Sequence, residues 1–216
     1  MAAATMRLQA HQLACARGER QLFSDLNLEL QSGEALWLKG GNGSGKTSLL
    51  RLLCGLGRPL AGEVRWNGQP IQKLREDFHR QLIYCGHASA VKDDLSAWEN
   101  VATASTLSGV TCNREQAVVA LVSVGLGAAA DLPARALSQG QRRRVALARL
   151  AVEPLPPLLL LDEPFVALDA AAVHSLCRTL NRHLAAGGML VYTTHQAQAL
   201  QARRLEQFDL DQLLPC

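Results

Sequence analysis

Gly40-Gly41-Asn42-Gly43-Ser44-Gly45-Lys46-Thr47 fits the pattern G-x-x-x-x-G-K-[ST] without a gap. The apolar run Ala35-Leu36-Trp37-Leu38 precedes it and Ser48-Leu49-Leu50-Arg51-Leu52-Leu53 follows, so the glycines join an expected strand to an expected helix. Chemically this is a phosphate cradle. Backbone amides close around anionic oxygens at the positive end of a helix, Lys46 reaches the β and γ phosphates, and the Thr47 hydroxyl suits a hard cation such as Mg²⁺. A glycine turn that happens to precede Lys-Thr is the competing reading, and the flanking strand and helix count against it.

A second group with chemistry is Asp162-Glu163, directly after Leu158-Leu159-Leu160-Leu161. Four consecutive apolar residues bounded by Pro156-Pro157 and Pro164 predict a parallel strand buried on both faces, with two carboxylates at its C-terminal edge, where open α/β sheets bind ligands. Beside a triphosphate, Asp162 can hold Mg²⁺ and Glu163 can deprotonate the attacking water. Alone the pair is equally a turn after a strand. Ser138 and Gln141 form a capping-box spacing ahead of the helical pattern from Arg142 to Leu150, so this stretch is either a well-capped helix or a second place for a phosphate. His195 follows Thr193-Thr194 at the end of another expected strand, and a surface histidine is the plain alternative there.

The elements that must position these groups are legible in outline. Arg7 to Ala14 and the alternating Leu26 to Leu30 predict antiparallel strands around a turn at 17–20, and Gly62 to Gly68 predicts a short strand with an Asn-Gly turn. Leu82 to Cys85 and Met189 to Thr193 predict further sheet strands, with a helical insertion from Leu95 to Val124 between sheet strands. Ala170 to Ala186 predicts a helix closed by Gly187-Gly188. The expected class is α/β, a P-loop NTPase fold with a parallel core sheet, an N-terminal antiparallel β layer and a helical subdomain at about 88–152, all in one domain over 1–216.

Composition sets outer limits. With 48% hydrophobic and 19% charged residues the chain is globular, and a net charge of +3 gives no argument for nucleic acid or an anionic membrane. No stretch approaches the roughly 20 apolar residues of a membrane span, and the N-terminus lacks a signal-peptide core, so a cytosolic chain is expected. The six cysteines show no C-x-x-C spacing and predict buried free thiols.

Taken together, the phosphate loop, Leu137-Ser138-Gln139-Gly140-Gln141, Asp162-Glu163, Ala167-Leu168-Asp169 and His195 stand in an order that resembles the ABC ATPases. That resemblance implies ATP and Mg²⁺ as ligands, with Thr47 and Asp162 on the metal. It implies a head-to-tail homodimer in which Ser138, Gly140 and Gln141 of one copy close over the ATP held by the other. It gives Glu163 as general base, Lys46 on the phosphates and His195 on the γ-phosphate. The chain departs from the family at three places. Cys85-Gly86-His87 stands where a glutamine is usual, Arg17 where an aromatic residue often stacks on adenine, and Gln139 where the signature has glycine. His87 therefore inherits the coupling position with different hydrogen-bonding groups.

Within that family the chain looks like the ATP-binding subunits of haem exporters in cytochrome c maturation, through Leu82 to His87, Lys92, Leu95 to Asn100, Gly187-Gly188 and Thr193 to Gln196. Such subunits act peripherally at the cytoplasmic face of the bacterial inner membrane with small integral membrane permease subunits. There they serve haem export or the release of a haem-loaded chaperone. Another importer or exporter ATPase, or a soluble ABC-type ATPase of DNA repair or translation, stays open. The latter normally carries a coiled-coil insertion, tandem domains or a strong basic face. A small P-loop kinase leaves Leu137 to Gln141 and His195 unexplained.

Overall fold

The computed structural model describes residues 5–88 and 90–213. In chain order it runs β1 (Arg7–Arg17), β2 (Arg20–Gln31), β3 (Glu34–Lys39), α1 (Lys46–Leu53), β4 (Ala61–Trp66), β5 (Gln69–Pro70), α2 (Ile71–Leu74), α3 (Glu76–His79) and β6 (Leu82–Cys85). The helices α4 (Ala97–Leu107), α5 (Arg114–Ser123) and α6 (Gln139–Ala148) follow, then β7 (Leu158–Leu161), α7 (Ala170–Ala185), β8 (Met189–Thr193) and β9 (Arg204–Asp209).

Two sheets result. One is antiparallel in the order β2-β1-β4-β5; the other is parallel in the order β6-β7-β8-β3-β9. The strands β7 and β8 are buried along their whole length, which is why they read as unbroken apolar runs. Leu160 and Val191 on one face of the parallel sheet pack with Leu49 of α1 and with Leu8 and Phe23 of the antiparallel layer. On the other face Leu159, Leu161 and Tyr192 pack with Leu176 and Leu180 of α7. A third cluster, including Val101, Leu121 and Val145, joins α4, α5 and α6.

Several sequence expectations are refined. The first strand runs on to Arg17, and the second starts at Arg20, so the turn between them is only Gly18-Glu19. Within the first strand Gln12 adopts φ 48, a bulge against which Gly62 packs so closely that a Cβ would overlap the His11 and Gln12 carbonyls. The helical insertion expected from Leu95 to Val124 consists of two helices, α4 and α5. Gly109, at φ 85, turns the chain, and Asn113 begins α5 with a capping box: its side chain accepts Gln116 N–H, while Gln116 Oε1 accepts Asn113 N–H, both at 2.9 Å. The strand β9 was not expected. It is an edge strand of mixed polarity, Arg-Leu-Glu-Gln-Phe-Asp, paired through backbone bonds to β3.

The five described cysteines are free and buried, as expected, and Cys216 and the N-terminal residues 1–4 lie outside the described residues. Among the described residues no helix is long and apolar enough to cross a membrane.

Candidate nucleotide site

The strand order decides where the chemistry gathers. Because β8 lies between β3 and β7, the loop leaving β3, the carboxylates leaving β7 and the residues leaving β8 emerge side by side at one sheet edge.

The loop after β3 turns through Gly40, Gly43 and Gly45, with φ of 134, 83 and 105. Gly40 and Gly45 have no substitute. A Cβ on the first would stand 2.5 Å from Ser44 Oγ, and one on the second would press at 3.3 Å on Leu22 and Phe23. Helix α1 starts at Lys46, so its first turn presents unpaired N–H groups to the cleft. Lys46 Nζ folds over the loop, donating to Gly40 O at 2.7 Å and Gly41 O at 2.9 Å. From the far end of the chain Asp211 accepts the Gly41 N–H at 2.8 Å. Asn42 lines the cleft, and Ser44 is buried within the loop.

Asp162 is 2% exposed, and hydroxyls hold both of its carboxylate oxygens. Thr47 Oγ1 donates to Oδ2 at 2.7 Å, and Thr193 Oγ1 donates to Oδ1 at 2.9 Å. Thr193 also accepts the Glu163 N–H at 2.7 Å. Glu163 carries φ 52, a conformation that costs a residue with a Cβ on the order of 1–2 kcal/mol. Its Oε1 lies 3.3 Å from His195 Nε2. Beside this group burial pushes the Tyr84 hydroxyl pKa up, and the charge of Asp162 adds to the effect.

These groups enclose a cleft of about 340 Å³ lined by residues of the phosphate loop, Asp162, Glu163, His195 and His87, with Arg17, Leu22 and Val166 at its rim. Sequence reasoning thus named Lys46, Thr47, Asp162, Glu163 and His195, and the fold brings all five together. It gave no role to Thr193, Asp211 or Arg143, whose guanidinium donates to backbone carbonyls behind Asp162 and Glu163. A doubled threonine at a strand end was the one available signal for Thr193.

Ser138, Gly140 and Gln141 do not line the cleft. They begin α6, where Ser138 N–H is accepted by Gln141 Oε1 at 2.8 Å and Gln141 N–H by Ser138 Oγ at 3.2 Å, the expected capping box. A Cβ on Gly140 would meet Ala167 at 3.6 Å, so the signature stretch packs beside Ala167-Leu168-Asp169. Asp169 caps α7 by accepting Ala172 N–H at 2.8 Å, and Arg144 lies 3.5 Å from its other oxygen.

Residues 23–166 match the ABC transporter family. The chain is 54% identical over 196 residues to the "Cytochrome c biogenesis ATP-binding export protein CcmA" of Aromatoleum aromaticum, covering 91% of this chain and 92% of that protein. It is 49% identical over 203 residues to the protein of the same description in Dechloromonas aromatica, covering 94% and 99%. Among solved structures, a putative ABC transporter ATP-binding protein from Pyrococcus furiosus superposes with a TM-score of 0.80 at 23% identity, covering 97% of this chain and 100% of that one. A dimeric ATP-binding cassette in a post-hydrolysis state with ADP and Pi superposes with a TM-score of 0.74 at 25% identity over 88% of each chain.

Proposed function

The chain belongs to the ABC transporter family of ATPases, and from that premise we infer that it is the ATP-hydrolysing subunit of a membrane complex serving cytochrome c biogenesis. The observation that carries the hydrolytic reading is the Glu163–His195 pair at 3.3 Å, held beside the phosphate loop. Its destination in cytochrome c biogenesis rests on the identity, nearly end to end, with proteins so described.

In this reading the triphosphate lies along Gly40 to Thr47. Its charge draws Lys46 off the Gly40 and Gly41 carbonyls and onto the β and γ phosphates. Glu163 takes the proton of the attacking water, and His195, already in contact with Glu163, fixes the γ-phosphate against it. The hydroxyl of Thr47 and the carboxylate of Asp162, 2.7 Å apart, form an all-oxygen set that fits a hard cation. Mg²⁺ held there supplies charge neutralisation at the phosphate oxygens.

Ser138, Gly140 and Gln141 serve the ATP of a second copy. Two observations support this: they stand at an exposed helix start away from their own cleft, and related cassettes have been solved as dimers. The chain acts as one domain whose helical subdomain, about 88–152, meets small integral membrane permease subunits together with the His87 segment. It sits peripherally at the cytoplasmic face of the inner membrane, where dimer closure drives haem export or the release of a haem-loaded chaperone.

Glu163→Gln tests the mechanism. It keeps ATP binding, loses turnover and accumulates an ATP-dependent dimer on size exclusion, while Lys46→Ala loses turnover outright. Full turnover by Glu163→Gln would sink the base assignment. In cells, replacing the chain with Glu163→Gln removes haem-stained c-type cytochromes; unchanged staining would overturn the biogenesis role.

A further inference from the structure

Arg143 sits in α6 between Arg142 and Arg144, and by sequence it is one of three charges on a helix. In the fold it is buried, only 8% exposed. A buried guanidinium is costly unless its donors are satisfied, and among the described residues Arg143 enters no ion pair. Its partners are backbone carbonyls instead. Nη1 donates to Gly86 O at 2.5 Å and to His87 O at 3.3 Å, and Nη2 donates to Asp162 O and to Glu163 O at 3.2 Å.

These carbonyls belong to two segments that leave adjacent strands, one after β6 and one after β7. Past the strand ends the sheet ladder no longer pairs their oxygens, and the planar fork of Arg143 collects them. Glu163 is thereby pinned at both ends of its backbone: Thr193 accepts its N–H at 2.7 Å, and Arg143 donates to its carbonyl. That pinning accounts for how a residue with φ 52 persists there. The same fork holds the carbonyl of His87, and the helix that bears it starts at Ser138.

We propose that Arg143 is a positioning residue that locks Glu163 in its strained, reactive conformation and links the His87 segment and the helix of Ser138 to it, so that these parts shift together. Without the fork, Glu163 relaxes toward negative φ and its carboxylate swings away from His195. Lysine cannot replace it, because one ammonium offers three donors at a point and cannot span both segments. The inference rests on the reading of Glu163 as the hydrolytic carboxylate.

The test measures steady-state ATP turnover of the full chain, alone or with its co-expressed membrane subunits, for wild type, Glu163→Gln, Arg143→Gln and Arg143→Lys. Expected is a kcat lowered about 10- to 100-fold in both Arg143 variants, with the KM for ATP within about threefold of wild type. Arg143→Lys keeps the charge and the aliphatic stem, so it decides the matter if Arg143→Gln does not fold. Because Thr193 and Arg143 pin the same peptide, Arg143→Lys costs less kcat in a Thr193→Val background than in wild type. A folded Arg143→Lys with kcat within twofold of wild type, or kcat losses that simply multiply in the double variant, overturns the proposal. Turnover absent in wild type defeats the ATPase reading itself, and turnover surviving in Glu163→Gln defeats the assignment of Glu163 as the base, on which this proposal rests. Turnover lost in Glu163→Gln but intact in the Arg143 variants defeats only the role of Arg143.

Discussion

Thr193 Oγ1 donates to Asp162 Oδ1 at 2.9 Å while accepting the N–H of Glu163 at 2.7 Å. One hydroxyl therefore sets the spacing of two carboxylate-bearing residues from the neighbouring strand. Thr193→Val keeps the shape and removes the hydroxyl, leaving a buried carboxylate oxygen and a backbone N–H without partners. The expected cost is about 1–3 kcal/mol of stability, read by urea unfolding. Turnover falls by about tenfold or more with ATP binding little changed. A valine variant with wild-type kcat would show that the hydroxyl does not position Glu163.

Ser138 has two claims on its hydroxyl. As the cap of α6 it accepts Gln141 N–H at 3.2 Å, so Ser138→Ala is expected to cost about 1 kcal/mol in thermal unfolding of the nucleotide-free chain. If it also closes on the ATP of a second copy, the same variant weakens the ATP-dependent dimer of the Glu163→Gln chain far beyond that cost. A dimer as stable as its parent would leave capping as the whole role.

Gly188 follows α7 with the His183 ring lying directly over it, so that a Cβ would overlap the imidazole. His183 is itself buried and faces Met189 O at 3.2 Å. Gly188→Ala therefore forces a packed ring aside, for about 1–3 kcal/mol in urea unfolding. Pairing it with His183→Ala removes the obstacle, and the double variant is less destabilised than the sum of the two single ones. Strict additivity would contradict the packing argument.

Burial lowers the His183 pKa from its ordinary value of 6.5, against a smaller opposing effect of its contact with the Met189 carbonyl. The folded state keeps the ring neutral where the unfolded chain already binds a proton. Stability from this group is thus complete above pH about 6.5 and is lost as the pH falls below it, with a slope of at most ~1.4 kcal/mol per pH unit. Comparing urea midpoints at pH 7.5 and 5.5 checks it: wild type loses more stability on acidification than His183→Gln. Equal losses would rule out His183 as a source of the acid sensitivity.

The parts of this site that were legible in the sequence are contiguous. Gly40 to Thr47 and Leu158 to Glu163 each carry strand, turn and chemistry within a few neighbouring residues, so local pattern suffices. Thr193, Arg143 and Asp211 act only through contacts with distant segments, and nothing in their own neighbourhoods distinguishes them. Arg143 looks like its neighbours Arg142 and Arg144 until burial separates it from them. The strand β9 was missed because an edge strand held by backbone pairing to β3 needs no apolar run. The break between α4 and α5 was readable, through Gly109 and the Asn113 to Gln116 capping spacing.

The bond from Gly41 to Asp211 spans 170 positions of sequence. During synthesis the phosphate loop leaves the ribosome long before β8, β9 and Asp211 exist to flank and hold it. A growing chain therefore carries all the residues of its nucleotide loop without the support that shapes them. The Gly41 N–H gains its carboxylate partner only when the segment around Asp211 has emerged.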